Sequence, residues 1–188
     1  MLGVLVAGCT ATPPPTSSPT LGTGGGSPSA TPGAPTGPGG GLPACELIAA
    51  TVFGLVDPLV FDSATSLSQE AQEDYEQRVC VYRTADGVAA IGITIAAIPF
   101  QQTELDGYAA RPNALTDDRL EKRSAVLQTF EAGDGDDGTL DSPLYLIDTT
   151  WSITIQGVAE SSTVAIALPQ LTLQTATDAA FAVRDLVG

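Results

Sequence analysis

From Thr10 to Pro43 the chain consists almost entirely of Pro, Thr, Ser, Gly and Ala, and no charged residue appears before Glu46. A segment without apolar periodicity has no face to bury, so nothing offsets the entropy of ordering it. The stretch is expected to be a disordered tether, stiffened at Pro13-Pro14-Pro15 and loosened at Gly24-Gly25-Gly26. Treated as a flexible chain of 34 residues, its ends lie roughly 30–35 Å apart. The Gly-rich piece from Gly22 follows no strand, opens no helix and has no Lys, so it is not a phosphate cradle. Folding is confined to residues 44–188, enough for one domain with a single core.

Ahead of the tether, Val6-Ala7-Gly8-Cys9 closes a short apolar run. This resembles the lipobox of bacterial lipoproteins, in which an aliphatic and two small residues precede the acylated cysteine. Small side chains at Ala7 and Gly8 suit a protease that must approach the backbone closely. The resemblance implies a diacylglyceryl group on Cys9, cleavage just before it, and a domain held at the outer face of the bacterial cytoplasmic membrane. The membrane is then a partner through the N-terminal lipid, and residues 9–43 are the lipid-anchored tether. Residues 1–8 are read as a signal-peptide remnant, because they carry no basic residue and only six apolar ones. So short a run cannot span a bilayer.

The net charge of −15 falls wholly on the domain. Seven basic against twenty-two acidic residues argue against nucleic acid and against a basic patch on anionic lipid. The chain has no His, which removes the usual general base and every Ser-His or Cys-His pair.

Within 44–188 the pattern predicts α+β. Leu47, Ile48, Val52 and Leu55 recur at helical spacing, and Pro58 ends that helix. Ser66 to Gln77 reads as a loop or a short surface helix. Arg78 to Arg83 and Ala89 to Ile98 read as strands joined at Asp86-Gly87. Thr103 to Ala110 reads as a helix and Ala125 to Phe130 as a strand. Leu144 to Ile155 and Thr163 to Leu168 read as a hairpin turning at Gly157 to Glu160. A last helix is expected with Thr175 as N-cap and Ala176, Ala179, Ala180, Val183 and Val187 on its apolar face. The sum is an antiparallel sheet of about five strands packed against helices.

Two cysteines remain. Outside the cytoplasm Cys45 and Cys80 most simply pair, pinning the first helix to the first strand. A free pair or a redox couple is the alternative, without a CxxC spacing or a flanking His or Lys to support it.

The lipobox, the tether, Cys45-Glu46-Leu47-Ile48 and Cys80-Val81-Tyr82 ahead of a hairpin together resemble a group of small actinobacterial lipoproteins of unknown function. In that group an aromatic follows the second cysteine by two positions, and Tyr82 stands there. The resemblance implies a disulfide-linked α+β fold akin to PsbP-like domains and to the extracellular sensor domains of mycobacterial kinases. It brings no catalytic residues.

Candidate chemistry is sparse. Gly133-Asp134-Gly135-Asp136-Asp137-Gly138 does not match a calcium loop, since Thr139 and Tyr145 occupy the sixth and twelfth places counted from Asp134. Asp117-Asp118 and Glu70, Glu73, Asp74 and Glu76 read as surface acids. Lys122 lies among charged neighbours, and Trp151 reads as sheet or core packing. No catalytic residue, cofactor or metal site is assigned. The expectation is a non-enzymatic, envelope-anchored lipoprotein that binds an envelope protein or a cell-wall component, with a carrier of an apolar ligand or lipid as the alternative.

Overall fold

A computed structural model of the chain describes residues 41–70, 75–131, 138, 140–159 and 168–188. Cys9, most of the expected tether, the acidic loop 133–137, Glu73, Asp74 and the strand expected from Thr163 lie outside the described residues.

The described chain is α+β. It opens with helices α1 (Cys45–Thr51) and α2 (Phe53–Val56), followed by strand β1 (Val60–Phe61) and helix α3 (Ser63–Glu70). Strands β2 (Gln77–Arg83) and β3 (Ala89–Ala96) form the first long hairpin. Helix α4 (Gln102–Ala109), β4 (Ala114–Leu115), β5 (Val126–Thr129), β6 (Leu144–Ile147), β7 (Ser152–Ala159) and helix α5 (Leu173–Val187) complete it. One seven-stranded sheet runs β1-β2-β3-β7-β6-β5-β4, and every pairing is antiparallel. The outermost two strands have two residues each and the other five have four to eight. Two meanders therefore meet along the β3–β7 seam.

Alternation along the strands divides the sheet into two faces. Ile91, Ile93 and Ile95 of β3, Ile153 and Ile155 of β7, and Leu144 and Leu146 of β6 all point to one side and are fully buried or nearly so. They form the main core with Ile48, Val52, Leu55 and Val56 of the first helices and Ala176, Ala180, Phe181 and Val183 of α5. The opposite face carries a smaller cluster in which Leu105 of α4 packs on Val126 and Ile147. Helix α3 closes the edge of β2 where β1 ends. The Val81 amide donates to Ser66 Oγ and its carbonyl accepts from the Asp62 amide, so no strand edge is left open there.

Several local expectations change. Leu144 to Ile155 is not one strand: it turns at Asp148 to Trp151, so β6 and β7 are themselves the hairpin and Gly157 lies inside β7 opposite Ile91. The Asp148 carboxylate accepts from the amides of Thr150 and Trp151, which stabilises that turn without glycine. The N-cap of α5 is Thr172 rather than Thr175, because the two threonines cap each other's amides and Thr175 lies within the first turn. Leu47 is 43% exposed and does not belong to the buried stripe of α1. Leu42 already packs against the core, two residues before the expected start of the domain.

Candidate functional site

Among the described residues, regular structure begins at Cys45. It is the first residue of α1, buried to 7% exposure, and its sulfur is bonded to that of Cys80 in the middle of β2, with Cα atoms 5.5 Å apart. Two residues along β2, the Tyr82 hydroxyl donates a 2.7 Å hydrogen bond to the Cys45 carbonyl. Burial holds the Tyr82 phenol far above its ordinary pKa, and the nearby Glu46 carboxylate adds to the shift. One helix start is thus held to the sheet by a covalent bond and a buried hydrogen bond.

The acids gather no reactive centre. Asp62 caps α3 by accepting from the Thr65 amide, and it pairs with Arg83. Those hydrogen bonds hold its carboxyl far below the usual range, the Thr65 amide first. Asp117 accepts from Arg119, which lowers its pKa to about 2. Arg119 also reaches Asp178 at 2.8 Å, Arg123 reaches Asp185 at 2.7 Å, and both guanidinium groups lie over the Phe181 ring. This set ties the chain around 117–123 to α5. Asp148 pairs with Arg184 at the far end of the same helix. Asp118, Glu76 and Lys122 are exposed. Trp151 packs against the core from the β6–β7 turn, not from within a strand. Among the described residues no three His, Cys, Asp or Glu side chains converge to hold a metal ion, and no helix is long and apolar enough to cross a membrane.

Two open grooves flank α5. One of about 300 Å³ lies against α1 and α2 and is lined by Val52, Leu55, Thr175, Asp178 and Ala179. The other, of about 350 Å³, is lined by Leu115, Leu127, Leu173, Gln174 and Thr177 with Asp117 at its side.

The sheet face opposite α5 carries a feature that the sequence reading missed. In register across β3, β7, β6 and β5 stand Thr94, Thr154, Tyr145 and Gln128, and Gln156 lies opposite Gly92. Thr94, Thr154, Gln156 and Tyr145 are half-buried. Gln128 is buried, and its Oε1 has no hydrogen-bond partner. Burial also raises the pKa of Tyr145. In a domain this acidic, the described strand positions of this face include no carboxylate. The alternation of Thr94, Thr154 and Gln156 with apolar neighbours was the available signal, but which strands aligned depended on where β6 turned. Comparison of the chain with protein-family models, with curated proteins and with solved structures finds no match.

Proposed function

We propose that this chain is an envelope-anchored lipoprotein whose domain is a non-catalytic binding module for an envelope protein or a cell-wall component. The observation that carries this reading is the Cys45–Cys80 bridge at the point where the low-complexity stretch enters the fold. Structural disulfides belong to oxidising compartments, and the lipobox resemblance at Cys9 points to the same side of the membrane. Ion pairing supports the non-catalytic part. Asp62, Asp117, Asp148, Asp178 and Asp185 are each engaged by an arginine, and the carboxyls of Asp62 and Asp117 are held low, which leaves those two poorly suited to proton transfer. The contact surface we favour is the carboxylate-free strip around Thr94, Thr154 and Gln156, where neutral hydroxyls and amides stand on the sheet. A carrier of an apolar ligand has less support, because the space between the sheet and α5 is filled by side chains such as Ile93, Ile155 and Val183.

A photoreactive residue at position 156, introduced in cells, tests the assignment. Crosslinks to one envelope component from position 156, and none from position 174 on α5, support it. Crosslinking that is equal at both positions, or turnover of an envelope substrate by the purified protein, contradicts it.

A further inference from the structure

We propose that the Cys45–Cys80 bridge is a mechanical shunt, which passes tension arriving from the N-terminal side directly into the central sheet. The proposal rests on the reading of the chain as anchored at Cys9 and adds a role for the junction itself. Past the packing contact of Leu42, tension along the anchored segment reaches Cys45, the first residue of a seven-residue helix followed by a four-residue one. Helices this short have little stability of their own, and pulled from one end they would peel a turn at a time. The bridge changes what is pulled. Cys80 lies at the centre of β2, whose seven residues Gln77–Arg83 all pair with β3. Tension therefore acts on many sheet hydrogen bonds together, and α1, α2, β1 and α3 are enclosed in a loop that bears none of it. The Tyr82 hydroxyl on the Cys45 carbonyl holds the entry point in the same place. The cysteines are 35 positions apart, so the protected loop corresponds to about 120 Å of extended chain.

The test pulls the full chain in an optical trap, with one handle at the N-terminus and one at Gly188. The oxidised protein is expected to show no early step of that length, and in full unfolding to release about 120 Å less chain than a Cys45→Ala/Cys80→Ala variant. The variant is expected to yield a separate step of that size at lower force. An early release of about 120 Å, the length of the Cys45–Cys80 segment, in the bridged protein, or a variant that opens in one step at the same force, overturns the proposal. Should the variant not fold, the bridged protein is pulled from position 53, inside the loop, where Phe53 is 63% exposed. A low-force step from that handle supports the shunt, and resistance equal to the N-terminal pull refutes it. Handles bypass the lipid, so failure here is distinct from failure of the anchor reading, which is seen as an unmodified Cys9.

Discussion

The carboxylate of Asp148, in the turn between β6 and β7, pairs with the guanidinium of Arg184 near the C-terminal end of α5. The Asp148 side chain is 4% exposed and that of Arg184 17%. One carboxylate oxygen receives the arginine and the other receives the amides of Thr150 and Trp151. A single side chain thus shapes the hairpin turn and fastens the last helix across it. Removing one partner of such a pair leaves the other buried without compensation, at a cost of about 3–5 kcal/mol. Asp148→Ala should lower the urea midpoint strongly. Asp148→Asn retains an acceptor for the two amides and should fall between it and wild type. Equal midpoints for all three proteins would show that the turn and helix do not depend on this residue.

Loss of the bridge should also be costly. Closing a loop with a separation of 35 residues contributes about 3–4 kcal/mol in the chain-entropy account. Reduction under mild denaturant, or Cys45→Ala/Cys80→Ala, should shift the unfolding midpoint downward by that order. An unchanged midpoint would mean that the unfolded chain is not constrained by the bond.

Acid should weaken the fold over a narrow range. Arg119 holds the Asp117 pKa at about 2, against roughly 3.9 in an unfolded chain. A depressed carboxylate contributes stability that is complete above the unfolded pKa and is lost as pH falls through the folded one. Stability should therefore hold down to about pH 4 and decline towards pH 2, with Asp62 acting in the same direction. Asp117→Asn should flatten part of that decline in a series of urea titrations. A slope identical to wild type would show that Asp117 does not contribute to acid sensitivity.

Tyr82 sets the opposite limb. Its pKa is raised by burial, so its contribution is complete below about pH 10 and is lost as pH rises above that. Tyr82→Phe should be less stable at neutral pH by about 1 kcal/mol, for the hydrogen bond to the Cys45 carbonyl. It should also lose less stability on going to strongly alkaline pH. A parallel alkaline decline in both proteins would count against a buried phenol.

Much of the architecture was legible because β3 and β7 place isoleucines at alternate positions and the last helix has a clean alanine and valine face. Ala176, Ala179, Ala180, Val183 and Val187 are all buried as the spacing predicts. The β6–β7 turn was not, since Asp148-Thr149-Thr150-Trp151 lacks the Gly or Pro that marks a turn, while Gly157 offers a false one. The signal was the Asp148 side chain, which builds the turn by accepting two amides ahead of it. Phe181 was missed because its partners Arg119 and Arg123 lie some sixty positions away and meet it only through tertiary packing. The uncharged strip of Thr94, Thr154 and Gln156 was hidden for the same reason: cross-strand register is not written in local sequence.

The proposed lipid anchor at Cys9 is open to mass spectrometry of protein extracted from the membrane fraction of the native cell. A mature N-terminal peptide that begins at Cys9 and carries the mass of a diacylglyceryl group is expected. An unmodified Cys9 still preceded by Gly8 would contradict it.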